Sequence, residues 1–155
     1  MVVMLMSASE PSAPKVFSEL DVLIKQEFLE FFFGELVDMR PIFVNDFDAM
    51  LIYTAISRYY LRNERVGFSD GGVQPSFDCG LTATRIAGLT KIPRETVRRK
   101  LLQLEYRGYL ERGLHDEWRV SRRDGQPVIR TEYAPEWRRE LERIKRFVKT
   151  LKDHV

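Results

Sequence analysis

The chain has 155 residues, of which 44% are hydrophobic and 31% charged, as is typical of a globular protein with one core. One cysteine and two histidines exclude an internal disulfide and argue against a zinc centre built from cysteine or histidine. No stretch of eighteen apolar residues lacks charged residues, and the opening MVVMLM is too short and lacks the basic flank of a signal peptide. We therefore expect a cytoplasmic protein that uses no metal and no cofactor and does not enter a membrane.

Charge is distributed unevenly along the chain, although the net charge is only +2. Residues 1–61 carry 4 Lys and Arg against 9 Asp and Glu, whereas residues 81–125 carry 11 against 6 and residues 126–155 carry 8 against 5. An acidic N-terminal part and a basic C-terminal part indicate that one end of the molecule binds a polyanion. A basic surface that contacts only solvent would give the same charge counts.

The N-terminal part of the chain predicts a tail and one helix. Residues 1–15 are rich in Ser, Pro and Ala after the first six and are expected to form a disordered tail. Over residues 17–39 apolar side chains recur at spacings of three and four, which predicts a helix that Arg40-Pro41 ends. So many apolar residues fall off this stripe that the helix must be buried on more than one side, within the subunit or against a partner subunit.

A second helix is predicted over residues 46–63, followed by a loop. Residues 64–80 contain four glycines and one proline and therefore predict that loop. We expect residues 16–63 to supply both dimerisation and the first helix of the domain that follows. The side chains expected to face inward are Phe47, Met50, Leu51, Thr54 and either Tyr53 or Ile56.

Next come the signals of a short capped helix. Thr82 is placed as the N-cap of a helix over residues 83–90, because its hydroxyl can accept from a free backbone N–H of the first turn. Leu81 and Ile86 are spaced as a hydrophobic staple across that cap. The sequence therefore predicts a helix with a fixed entry angle.

A second short helix follows after a tight turn. Lys91-Ile92 makes the turn, and Pro93 occupies the first helical position, where its missing N–H costs nothing. The helix continues to about Arg107, and Gly108 stands in place as the residue that ends it in a left-handed conformation.

Two strands and a last helix complete the chain. Residues 109–112 and 118–121 predict strands around a polar turn, and Asp124-Gly125 offers another turn. Residues 134–152 predict a helix that could pack on its own domain or form a dimer seam. Its apolar residues follow the four-three spacing of a coiled coil: Trp137, Leu141, Ile144, Val148 and Leu151.

Two helices joined by a tight turn and followed by a two-stranded hairpin are the layout of a winged helix–turn–helix. The predicted fold class is therefore mainly α with a small β-hairpin wing, a winged helix–turn–helix at residues 81–125 with N-terminal and C-terminal helical extensions. On its second helix, Val97, Leu101 and Leu104 share one face. At about 100° per residue, the residues that point away from that face are Glu95, Arg99, Leu102 and Tyr106.

Residues 82–99 resemble the helix–turn–helix of the cyclic-AMP receptor protein family of bacterial regulators, through the segment Arg-Glu-Thr-Val-x-Arg at residues 94–99. The resemblance implies that Arg94, Glu95 and Arg99 contact bases in the major groove. Arginine can donate two bonds to guanine O6 and N7, and glutamate can accept from cytosine N4.

The resemblance covers residues 81–120 and departs from the family in two places. The turn carries Lys91 where the family has a glycine, so a turn of the same geometry would strain this residue. The eighty preceding residues have no β-rich, glycine-punctuated cyclic-nucleotide domain. The sequence therefore names no small-molecule effector.

The predicted function is a dimeric, sequence-specific transcriptional regulator that binds double-stranded DNA and is not an enzyme. Two alternatives stay open: a winged-helix module that binds proteins, and a replication or partition protein that binds DNA. The side chains expected to contact the DNA backbone are Thr82, Thr84, Lys91, Thr96, Arg98, Lys100, Arg119, Arg122 and Arg123.

Overall fold

The computed structural model describes residues 18–69 and 80–154. The predicted tail at residues 1–15, residues 70–79 of the predicted loop and Cys79 therefore lie outside the described residues. No helix within the described ranges is long and apolar enough to cross a membrane. The elements in chain order are α1 (Glu19–Ile42), α2 (Phe47–Ser69), β1 (Leu81–Thr82), α3 (Ala83–Thr90), α4 (Arg94–Tyr106), β2 (Leu110–Arg112), β3 (Glu117–Val120), β4 (Arg122–Arg123), β5 (Gln126–Pro127), α5 (Val128–Glu132) and α6 (Ala134–His154).

Helix α1 begins at a capping box. The backbone N–H of Asp21 donates to Ser18 Oγ at 3.1 Å, and the Asp21 carboxylate accepts from the Ser18 backbone N–H at 2.8 Å. The helix ends at Ile42, so the predicted stop at Arg40-Pro41 came early. Pro41 is tolerated because it lies in the last turn, where its missing N–H removes a single bond.

Asp46 caps the N-terminus of α2, because its Oδ1 accepts from the Ala49 backbone N–H at 3.0 Å. It runs to Ser69, so the prediction of a loop from residue 64 was wrong at its start. The reason is that three of the four glycines on which that prediction rested follow Ser69, and a single helical glycine costs only about 1 kcal/mol.

The inward face of α2 was predicted with one error. Met50, Tyr53 and Ile56 are buried as expected, whereas Phe47 is 61% exposed. Phe43, which precedes α2, fills this end of the core instead: it is 2% exposed, and its ring centroid lies 5.5 Å from that of Tyr53.

Three antiparallel strands pair in the order β1-β3-β2 and form one side of the core. The predicted β2–β3 hairpin is confirmed, with Leu110 opposite Val120. Strand β1 was not predicted, because Leu81 pairs with Trp118 across a distance in sequence that no local pattern reveals. Helix α2 packs against α3, α4 and β3, so the fold is mainly helical with a small antiparallel sheet.

The C-terminal part of the chain packs against the first helix, α1. Asp124 and Gly125 form the predicted turn with φ of 51° and 77°, and the short α5 that follows was not predicted. Helix α6 then runs antiparallel to α1. Arg139 Nη2 donates to Asp38 Oδ1 at 2.8 Å, and Arg143 Nε donates to Glu35 Oε1 at 3.0 Å.

Lys91 adopts a left-handed conformation, with φ of 62° and ψ of 15°, as the turn geometry required. A side chain with a Cβ is strained there, whereas glycine is not. We expect Lys91→Gly to raise the free energy of unfolding by about 0.5–1 kcal/mol, because relief of strain outweighs the greater freedom of glycine in the unfolded chain. Urea unfolding measures this, with Lys91→Ala as the control that keeps the Cβ. Equal free energies of unfolding for the two variants would show that the backbone of Lys91 is not strained.

Glu140 of α6 is expected to make stability depend on pH. Burial, together with the charge of Glu35, raises the pKa of Glu140 from 4.5 to about 7, against the opposing effect of Arg143 and Arg130. The folded state therefore holds this proton more tightly than the unfolded chain, and the free energy of unfolding falls as pH rises from 4.5 to about 7.

The variant Glu140→Gln isolates this contribution, because it cannot ionise. Its free energy of unfolding relative to the wild type should increase across the same pH window and stay constant above it. Urea unfolding at several pH values measures the difference, and a difference that does not change with pH would show that Glu140 titrates as it does in water.

Candidate nucleic-acid interface

The start of α3 is fixed as the sequence predicted. Thr82 Oγ1 accepts from the Arg85 backbone N–H at 3.3 Å, which confirms the N-cap. Leu81 and Ile86 are 1% and 0% exposed, as members of a hydrophobic staple should be. Lys91 caps the C-terminus of α3, and its backbone N–H donates to Ala87 O at 2.9 Å. These bonds fix the direction in which the chain enters α4.

Helix α4 is docked by one apolar face and closed by a glycine. Val97, Leu101 and Leu104 are 0–1% exposed, which confirms the predicted inward face. After the helix, the Gly108 N–H donates to Glu105 O at 2.8 Å and the Tyr109 N–H to Leu104 O at 2.9 Å. This pair of bonds is a Schellman motif, and Gly108 supplies the φ of +75° that it needs.

The opposite face of α4 is open to solvent. Two of the predicted base-contacting residues, Glu95 and Arg99, lie on this face, and the third, Arg94, is the first residue of the helix, about 60° around from Val97; all three are exposed. Glu95 lies 3.6 Å from Arg98 in an ion pair whose side chains are 86% and 61% exposed. An ion pair this exposed contributes little, so both groups can exchange partners at small cost.

The predicted backbone contacts near the turn fall into two groups. Thr82, Thr84 and Lys91 are exposed at the start and the end of α3. Thr96, by contrast, is half-buried on α4. Thr82 and Thr84 lie at the N-terminus of α3, where unpaired backbone N–H groups favour an anion, whereas Lys91 lies at its C-terminal end.

Lys100 is engaged within the protein. Its ammonium group donates to Asp46 Oδ2 at the start of α2, and its side chain is 15% exposed. Burial alone would raise the pKa of Asp46, but the hydrogen bonds from Lys100 and the Ala49 N–H bring that pKa below its usual value. The structure therefore places Lys100 on the side of α4 that faces α2, away from the open face.

The hairpin arginines differ in their surroundings. Arg119 Nε donates to Glu111 Oε1 at 2.7 Å, and Arg122 Nε donates to Gly125 O at 3.1 Å. Arg123 is exposed at the turn between β4 and β5. Of these three, Arg123 is the exposed residue, whereas Arg119 and Arg122 are half-buried.

Sequence reasoning missed Arg85. This exposed residue of α3 lies with its guanidinium 5.5 Å from the ring centroid of Tyr59 on α2. Helical spacing within α3 does not reveal this contact, because Arg85 is about 100° around the helix from the buried Ile86 and the contact depends on the position of α2.

A scan against models of protein families, a search of curated proteins and a search of solved structures each found no match. Within residues 18–69 and 80–154, no cluster of three or more His, Cys, Asp or Glu side chains could hold a metal ion.

Proposed function

We propose that this protein is a transcriptional regulator that binds double-stranded DNA as a dimer, with a winged helix–turn–helix whose α4 enters the major groove. The order α2, β1, α3, α4, β2, β3 and the strand order β1-β3-β2 support the winged-helix assignment. The observation that carries the proposal is the contrast between the two faces of α4: one holds three buried apolar side chains, and the other holds exposed arginines beside one glutamate.

The exposed face has the chemistry that base recognition needs. The guanidinium groups of Arg94 and Arg99 can each donate two hydrogen bonds to guanine O6 and N7. Glu95 can accept from cytosine N4, and it is already 86% exposed, so it needs little rearrangement to do so. Sequence selection is therefore assigned to these three residues.

Phosphate contacts are assigned to the remaining exposed cations and to the start of α3. Lys91, Arg98 and Arg123 are exposed, and the cap at Thr82 leaves a helix N-terminus that favours a phosphate. Lys100 is omitted from this set because its ammonium group is paired with Asp46. These contacts position the domain without choosing a sequence.

The test is fluorescence-anisotropy titration of labelled mixed-sequence duplexes at several salt concentrations. Each neutralised phosphate should add about −0.9 to the slope of log K against log[salt]. We expect a negative slope that becomes shallower by about one unit in Arg98→Ala. Absence of binding at low salt, or binding that does not depend on salt, would overturn the proposal.

A protein-binding module is the second candidate. It is favoured by an apolar groove between α1 and α2, lined in part by Leu36, Phe43 and Met50, and by the 61% exposure of Phe47 at its rim. A complex that forms without DNA and resists salt, in a chain that fails the titration above, would support this candidate.

A further inference from the structure

The open face of α4 changes in chemistry along the helix. Its first half carries the charged Glu95 and Arg99, whereas its second half carries Leu102 and Tyr106. Leu102 is 43% exposed and Tyr106 is 94% exposed. A surface that begins with charged side chains therefore continues as an apolar one toward the end of the helix.

Leu102 lies on the same side of α4 as the residues assigned to base contacts. At about 100° per residue, it is about 20° around the helix from Glu95 and about 60° from Arg99. The nearest buried residue of the docking face, Leu101, is about 100° away. Leu102 therefore enters whatever surface Glu95 and Arg99 enter.

Packing within the chain does not account for this side chain. Among the described residues, neither the buried core nor the half-buried apolar residues that pack against it include Leu102. Its neighbour Leu101, by contrast, is 0% exposed in that core. The position of Leu102 thus matters for what α4 contacts outside the chain.

In the major groove, an apolar side chain has one favourable partner. Each base pair presents hydrogen-bond donors and acceptors there, and the C5-methyl group of thymine is the apolar group among them. Opposite a donor or acceptor, Leu102 would displace water without replacing its hydrogen bond, which is unfavourable. Opposite the methyl group, both apolar surfaces leave water, which is favourable.

We propose that Leu102 contacts the C5-methyl group of a thymine in each half-site of the DNA. This inference rests on the proposed function and deepens it by naming a second base that α4 selects. Leu102 lies about 4.5 Å beyond Arg99 along the helix axis, and stacked bases are about 3.4 Å apart. The preferred half-site therefore holds a thymine one or two base pairs from the guanine assigned to Arg99.

Replacement of single thymines by deoxyuridine tests this contact, because it removes the methyl group and keeps the hydrogen bonds of the base pair. The probes are labelled duplexes with the motif enriched from genomic fragments, measured by anisotropy titration. One thymine in each half-site should be sensitive. We expect deoxyuridine there to lower the affinity of the wild type about fourfold, the equivalent of about 0.8 kcal/mol for one buried carbon group.

The variant Leu102→Ser identifies the side chain responsible. It should bind the thymine and deoxyuridine duplexes with equal affinity. Leu61→Ser is the matched control, because Leu61 is 45% exposed on α2, and it should keep the fourfold difference. Any effect of deoxyuridine on the DNA itself would appear with all three proteins, so the ratio between proteins isolates the contact.

The outcomes separate this inference from the proposed function. A recovered motif at which no deoxyuridine lowers the affinity, or a loss that Leu102→Ser retains, would overturn the contact with thymine alone. In either case the chain would still bind a defined DNA sequence. Failure to recover any motif would overturn sequence recognition by α4 and this inference with it.

Discussion

Replacing Arg99 with alanine should lower the affinity for a selected DNA site by roughly 5- to 150-fold, the equivalent of about 1–3 kcal/mol for one bidentate base contact. Arg99 is exposed on the open face of α4, one turn after Glu95. The loss should fall on the selected sequence, while the affinity for a scrambled duplex changes little. Anisotropy titration of both duplexes with both proteins measures the ratio.

The matched control for that prediction is Arg138→Ala. Arg138 is also an exposed helical arginine, but it lies on α6, which has no assigned role in DNA contact. Both variants lose one positive charge, so an effect of net charge alone would appear equally in the two. If Arg99→Ala and Arg138→Ala weakened both duplexes to the same extent, α4 would not be the element that reads the sequence.

Replacing Leu101 with alanine should lower the free energy of unfolding by about 2–5 kcal/mol. Leu101 is 0% exposed in the face that docks α4, so truncation removes apolar contacts and leaves a cavity. Leu102, the next residue, is 43% exposed, and Leu102→Ala makes the same chemical change at the cost of less than about 1 kcal/mol. Urea unfolding at one pH compares the two variants.

The two variants together test the rotation of α4 about its own axis. A larger loss in Leu102→Ala than in Leu101→Ala would mean that the helix is rotated about its axis by roughly 100° from the described position. In that case the face that carries Arg99 would turn toward the core, and its assignment to DNA would fail with it.

Features whose causes lie within a few residues were predicted from the sequence. The cap at Thr82 depends on one hydroxyl and the first turn of α3, and the end of α4 depends on Gly108. The left-handed conformation of Lys91 was expected from the family resemblance, in which a glycine occupies this position of the turn. Local spacing was enough for the two helix ends.

Features that join distant parts of the chain were not predicted. Arg143 and Glu35 are 108 residues apart, so no periodicity in either helix could show that α1 and α6 pack together. The position of Lys100 depends on Asp46, 54 residues earlier. The sequence predicted Lys100 as one of the DNA-backbone contacts, and the location of α2 is what pairs its ammonium group with Asp46 instead.

The most direct test of whether α4 reads a DNA sequence is selection of genomic fragments by the purified full chain at about 0.15 M salt, followed by sequencing. We expect enrichment of a motif with two-fold symmetry, because two copies of α4 would each contact one half-site. Recovered fragments with no shared motif, or no enrichment over the input, would contradict sequence recognition by α4.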